Sequence, residues 1–186
     1  MTPRALRQDE FERTAMPHSR SLLRVARRLT SDGAVAEDLV QETLLRAWRS
    51  FDQFEAGTNI RAWLFRIMFN AFYAQGRQAR SAPVLVSLDA PDRAAEPERP
   101  AGLSLIDAAE VNRAFEELSD EHRAVLLLGV VEGFTCQEMA DALSLPMGTV
   151  MSRLSRGRQA LRDRLANGSA KAFRAHAVAG SAHKEA

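Results

Sequence analysis

The chain has 186 residues, 25 basic and 24 acidic side chains for a formal net charge of +1, and a hydrophobic content of 46%. That length allows one domain or two small ones, and so even a charge balance gives no general attraction for nucleic acid; any such role must come from where the charges sit. A single cysteine, Cys136, excludes an internal disulfide and a cysteine-rich zinc site, and the four histidines lack metal-ligand spacing.

The first unit, residues 5–80, reads as helical throughout. Phe11, Ala15, Leu22, Val25, Ala26 and Leu29 mark one helix, which Thr30-Ser31-Asp32-Gly33 breaks. Val35, Leu39, Val40, Thr43, Leu44, Ala47, Trp48 and Phe51 then recur at the spacing of an apolar helix face, with Asp38, Gln41, Glu42, Arg46 and Arg49 opposite. Between Phe54 and Asn59, Gly57 and Thr58-Asn59 supply turn and N-cap chemistry. From Ile60 to Arg80 rings and arginines interleave: Arg61, Trp63, Phe65, Arg66, Phe69, Phe72, Tyr73, Arg77 and Arg80. Such a pattern suits single-stranded nucleic acid, where rings stack on bases and arginines follow the backbone. A small helical domain also needs aromatic volume, so most of these rings, Trp63 and Phe69 among them with Ile67, are expected in the core.

Residues 81–106 carry Pro83, Pro91, Pro97 and Pro100 with little periodic pattern, as in a flexible linker. Val84, Leu85, Val86 and Leu88 form an apolar patch within it, expected to tuck against one of the domains.

The second unit, residues 107–166, divides its charge. Nine acidic residues face only Arg113 and Arg123 between Asp107 and Leu145, whereas seven basic residues face Asp163 alone between Pro146 and Arg174. Thr135 and Glu138 have capping-box spacing at the start of a helix whose apolar face is Met139, Ala140 and Leu143. Ser144-Leu145-Pro146 ends it, because proline cannot donate to the preceding turn and restricts the residue before it. In the next helix Val150, Leu154, Leu161 and Leu165 form a buried stripe, and Thr149, Ser152, Arg153, Ser155, Arg156 and Arg158 occupy the other faces. A capped helix, a tight turn and a basic second helix read as a DNA-binding helix-turn-helix. Residues 167–186, rich in Ala, Gly and Ser, are expected to fray into a disordered tail. The fold expected is therefore all-α: two small helical domains and a linker. With no membrane-length apolar run and no signal-peptide core at the N-terminus, a cytoplasmic protein is expected.

AEDLVQETLLRAWRSF (36–51), GTNIRAWLFRIMFNAF (57–72) and LPMGTVMSRLSRGRQAL (145–161), in this order and spacing, resemble the extracytoplasmic-function (ECF) sigma factors of bacterial RNA polymerase. The resemblance covers about residues 8–166. It implies a region-two domain that binds core polymerase and opens the minus-ten promoter element, and a region-four domain that reads the minus-thirty-five element. It also implies a monomer when free of partners, an anti-sigma factor as a further partner, and no enzymatic activity, cofactor, metal or membrane insertion.

Carried onto matching positions, the resemblance puts Asp38, Gln41 and Glu42, with Leu44, Arg46 and Trp48 nearby, against the clamp helices of the polymerase's largest subunit. It puts Phe54 and Asn70 at the minus-ten pocket for an extruded base, with Asn59 among the minus-ten contacts, Arg61 and Arg66 toward phosphates, and Arg77 and Arg80 extending the basic track. On the last helix it gives Ser152, Ser155 and Arg156 to base edges and Thr149, Arg153 and Arg158 to phosphates. Met151 departs from the family, standing where many members carry lysine or arginine, and replaces a charged contact with an apolar one.

Overall fold

Proline sets the first difference from the sequence reading. The computed structural model, which describes residues 3–30, 32–81 and 108–181, divides the single N-terminal helix expected into α1 (Pro3–Thr14) and α2 (Ser19–Thr30). Pro17 lies in a 3-10 turn between them, Met16–His18. Having no amide hydrogen, it cannot continue the helical ladder.

Helix α3 (Gly33–Arg49) starts at Asp32, whose carboxylate accepts from the amides of Ala34 at 2.8 Å and Val35 at 3.1 Å. Ala36, Leu39, Val40, Thr43 and Ala47 form its buried stripe, while Val35, an expected member of the apolar face, stays exposed in the first turn. A 3-10 turn, Phe51–Gln53, and a loop with Gly57 at φ +89° lead to α4 (Ile60–Ser81). Asn59 caps α4, its side-chain oxygen accepting from the Ala62 amide at 3.1 Å.

Helices α2, α3 and α4 enclose Leu22, Val25, Leu39, Leu64, Phe65, Met68 and Phe69, all buried. Most rings of α4 thus serve the core: Phe65 and Phe69 lie inside it, and Trp63, Phe72, Tyr73 and the aliphatic Ile67 line its edge. Phe11 of α1 closes one end with edge-on contacts to Trp48 at 5.3 Å and Phe51 at 5.2 Å. Positions 82–107, which hold nearly all of the linker and its Val84–Leu88 patch, lie outside the described residues.

The second unit comprises α5 (Ala108–Glu116), α6 (Asp120–Leu126), α7 (Cys136–Leu143) and α8 (Met147–Ser181). Helix α6 runs into a π turn, Leu127–Val131, in which the Glu132 amide reaches back five residues to the Leu127 carbonyl at 3.0 Å. Gly133, at φ +68°, ends it, and the Phe134 amide returns to the Leu128 carbonyl at 2.9 Å. The capping box is formed as expected: the Glu138 amide donates to Thr135 Oγ1 at 3.2 Å, and the Thr135 amide to Glu138 Oε2 at 2.7 Å. Ser144 turns left-handed at φ 53° to end α7, and α8 begins directly after Pro146. Buried Gly157 brings α8 close to α6, since a Cβ there would meet Leu126 Cδ1 at 3.3 Å.

One expectation needs correction. Helix α8 does not end near Ala166 but continues to Ser181, over a stretch containing Ala170, Ala172, Ala175, Ala177 and Ala179, the best helix-forming residue type. Residues 182–186 lie outside the described residues. The two domains are present as expected, and they touch: α4 packs against α7 and α2 against α5 and α6. One hydrophobic core continues through both, with Phe65 meeting Phe134 edge-on at 5.3 Å.

Candidate nucleic-acid interface

The exposed face of α3 collects much of the first predicted set. Asp38, Gln41 and Arg46 are exposed, and Glu42, half-buried, receives a hydrogen bond from Arg46 Nε at 2.6 Å one turn on. Leu44 is partly buried against the core. The apolar side chain that joins Asp38 and Gln41 on the open face is Leu45, 51% exposed and seven and four residues along. Helical phase, counted from the buried Ala36, Val40, Thr43 and Ala47, was the signal that could have found it. Trp48 is half-buried under the Arg7 guanidinium, 4.7 Å from its ring, and Arg7 also donates to the Trp48 carbonyl at 2.8 Å.

The minus-ten set divides in two. Arg66, Asn70 and Arg77 are exposed on α4, and with Trp63 they follow the three- and seven-residue spacing of a single stripe. Phe54 stands at the head of it, stacked on Phe51 at 6.1 Å and tilted against Trp63 at 5.2 Å. Asn70 lies two turns further along, roughly 10 Å by helical rise, so ring and amide share a face without being adjacent. Asn59 and Arg61 point elsewhere, toward the second unit. Asn59 Nδ2 donates to Glu138 Oε1 at 2.7 Å, and Arg61 Nη2 donates to the Glu132 carbonyl at 2.6 Å and to its carboxylate at 2.5 Å. The Arg61 guanidinium also lies over the Phe134 ring at 4.4 Å.

On α8 the buried residues Val150, Leu154 and Gly157 fix which side faces out. Met151, Ser152, Ser155, Arg156 and Arg158 are exposed, and Met151 is 56% open to solvent. The Ser152 hydroxyl donates to the Thr149 carbonyl at 2.9 Å, holding the half-buried Thr149 and its neighbour at the helix start. Arg153 differs from the others. It pairs with Glu121 of α6 at 3.1 Å and lines a cleft of about 260 Å³ with Tyr73 of α4, Leu143 and Leu145. Burial pushes the Tyr73 hydroxyl up to about 12, with the nearby Arg153 charge opposing that shift.

Between the units sits a residue that no motif singled out. The Glu132 side chain is wholly buried and bridges Arg24 Nε of α2 at 2.8 Å and Arg61 of α4. Desolvation acts to raise its pKa, but hydrogen bonds from the two guanidiniums and the Arg24 charge outweigh it, so the carboxyl titrates below its ordinary value. Glu138 is also lowered, through the Thr135 amide and hydroxyl. Arg123, 8% exposed, adds a second crossing: Nη1 donates to the Leu29 carbonyl of α2 at 3.0 Å, and Nη2 to the carbonyls of Glu116 and Leu118. Among the described residues no cluster of His, Cys, Asp and Glu could hold a metal ion, and no helix is long and apolar enough to cross a membrane.

These elements coincide with two family models, Sigma-70 region 2 over residues 15–82 and Sigma-70 region 4 over residues 108–161. The ECF RNA polymerase sigma factor SigL of Mycobacterium tuberculosis is 39% identical over 149 residues, 78% of this chain and 82% of that protein. The chain belongs to the ECF RNA polymerase sigma factors. EcfG, an ECF sigma factor of Rhodopseudomonas palustris, is 33% identical over 76% of this chain and 77% of its own length. The sigma factor RpoE of Bartonella quintana, solved in complex with the anti-sigma factor NepR, is 33% identical and superposes with a TM-score of 0.66, covering 84% of this chain and 96% of that one. This sigma factor thus serves promoter-directed initiation by RNA polymerase, with α2 to α4 in region two and α5 to α8 in region four.

Proposed function

We propose that the chain binds core polymerase through the open face of α3, captures the melted minus-ten strand along the Phe54–Arg77 stripe of α4, and reads the minus-thirty-five element with α8. The observation that carries this is the outward face of α8 behind a capped helix and a left-handed turn. Ser152, Ser155 and Arg156 lie opposite the buried Val150, Leu154 and Gly157, where major-groove base edges would meet them. Arg156 is the candidate for paired hydrogen bonds to guanine, Met151 for apolar contact with a thymine methyl, and Thr149, Arg153 and Arg158 for phosphates.

Asp38, Gln41 and Glu42, with Leu44, Arg46 and Trp48 beside them, form a polar, partly acidic surface suited to the basic coiled coil of the clamp helices. Leu45 adds an apolar anchor to it. Phe54 supplies a ring and Asn70 an amide, the stacking and hydrogen-bonding pair that an extruded base requires. RNA synthesis belongs to the polymerase; this chain positions and performs no catalysis of its own, as a monomer in the cytoplasm, where polymerase and DNA are. Control by an anti-sigma factor is supported by the complex in which the Bartonella quintana relative was solved.

Transcription with purified core enzyme on promoter libraries tests the reading. Initiation that depends on this chain is expected, and Asp38→Ala with Gln41→Ala lowers affinity for core without lowering the thermal midpoint. DNA binding without polymerase-dependent initiation would make the chain a stand-alone helix-turn-helix regulator instead.

A further inference from the structure

Helix α1 lies N-terminal to the stretch that matches Sigma-70 region 2, residues 15–82, yet one of its side chains reaches the joint between α3 and the loop that carries Phe54. Three contacts of the Arg7 guanidinium meet there. Its Nη2 donates to the Trp48 carbonyl at 2.8 Å, its central carbon lies 4.7 Å from the centre of the Trp48 ring, and its Nε stands 2.9 Å from Asp52 Oδ1. Trp48 belongs to the last turn of α3, and Asp52 to the 3-10 turn that delivers Phe54.

The first two contacts suit a helix end, where carbonyls lack intrahelical donors, the dipole favours a cation and a ring face attracts one. The third has a different meaning. Nε has no aligned hydrogen-bond acceptor and the Asp52 side chain is 72% exposed, so this ion pair adds little to stability. It does span from the end of α3 to the turn. That turn, Phe51–Gln53, is closed by the Gln53 amide on the Ser50 carbonyl at 2.9 Å and the Phe54 amide on the Phe51 carbonyl at 3.0 Å, bonds of the poorer 3-10 geometry. Phe11 supports it from the inner side, edge-on to Phe51 at 5.2 Å, and Phe51 in turn stacks on Phe54 at 6.1 Å. Helix α1 therefore grips the carrier of Phe54 on both its charged and its aromatic side. A ring that must receive a ligand has to be held within about 0.5 Å by such neighbours.

We propose that Arg7 is a positioning residue for capture of the minus-ten strand: it ties the end of α3 to the turn before Phe54 and so aims that ring at the extruded base. Arg7 acts through Asp52 and Phe54 and touches no DNA. The role rests on the function proposed above, in which Phe54 stacks on the base.

The test uses the full chain assembled with core polymerase and a single-stranded oligonucleotide carrying a minus-ten sequence selected from the promoter libraries. Abasic sites are placed along it one at a time, and affinities are read by fluorescence anisotropy. Loss of the stacked base should weaken wild-type binding by about fivefold or more, at the position where Phe54→Ala abolishes the sensitivity. With Arg7→Ala the intact strand should bind more weakly while the strand abasic at that position binds as it does to the wild type, so the ratio of the two affinities falls toward one. Asp52→Asn reaches the same contact from the loop and should lower the ratio likewise. Combined with Arg7→Ala it should add nothing, as for two sides of one interaction. Because Asp52 is exposed, its variant carries the test if thermal melts show that Arg7→Ala fails to fold.

A wild-type ratio in Arg7→Ala would overturn the positioning role and leave base capture by Phe54 standing. Equal losses on intact and abasic strands would overturn it too, making Arg7 a general support of region two, and so would additive losses in the double variant. A wild type indifferent to an abasic site at every position would remove base capture, and the positioning role with it.

Discussion

Helices α4 and α8 both carry arginines assigned to DNA, and the fold treats the two sets differently. On α8, Arg156 stands on the outer face while Arg153, one turn earlier, is drawn to Glu121. On α4, Arg66 is exposed while Arg61, five residues earlier, is enclosed between the Glu132 carboxylate and the Phe134 ring. Side-chain type and helix are the same within each pair. What differs is the element packed opposite, and that decides which cation is ready for phosphate and which is occupied.

The largest test of this contrast is Phe65→Ala. Phe65 is fully buried in region two and also meets Phe134 across the units, so its loss should cost about 3 to 5 kcal/mol of stability and loosen the contact between the units, read by thermal unfolding and scattering. Arg156→Ala should cost about 1 to 3 kcal/mol of binding at one promoter position and leave the melting temperature unchanged. Arg61→Ala should lower the melting temperature and DNA binding together; if the two arginine variants behave alike, the contrast fails. Thr135→Ala removes the capping box of α7 and should cost about 1 kcal/mol, with a matching loss of minus-thirty-five affinity.

The smallest effect is that of pH. The Glu132 carboxyl is lowered on folding, so its contribution is full above the ordinary carboxylate range and is lost as pH falls through its lowered folded value. His18, lowered by burial and then by Arg61, favours the folded state more as pH rises toward and past its ordinary value of 6.5. Both slopes have the same sign. The folded state should weaken on acidification, gently below about pH 6.5 and more steeply below about pH 4.5. Glu132→Gln should reduce the steeper part in a pH series of thermal midpoints, and Glu138, also lowered, should keep the remainder.

The all-α fold and the helix-turn-helix were legible because each rests on local rules. Thr135 and Glu138 are three residues apart, Pro146 follows a left-handed Ser144, and Val150 and Leu154 repeat at four, all within a few turns of chain. The division of the first helix at Pro17 was equally local and was missed because the apolar period carries on through it. Contact between the units was hidden for a different reason. Arg24 and Glu132 are 108 positions apart, and in one dimension each is an ordinary surface charge. The split of the minus-ten set follows from that same contact: Asn59 and Arg61 have the right chemistry for DNA, and only the three-dimensional arrangement shows who holds them now.

The π turn at Leu127–Val131 has a consequence for how this sigma factor can vary. A widened turn holds one residue more than the α-helix it interrupts, and one residue in an α-helix is about 100° of rotation. Trimming a single residue there would let α6 run on regularly and swing the position of Glu132 by a large part of a turn, away from Arg24 and Arg61. The capping box, the left-handed Ser144 and the outer face of α8 would keep their own spacing. Changes in length at this point would therefore tune how the chain rests without rewriting what it reads.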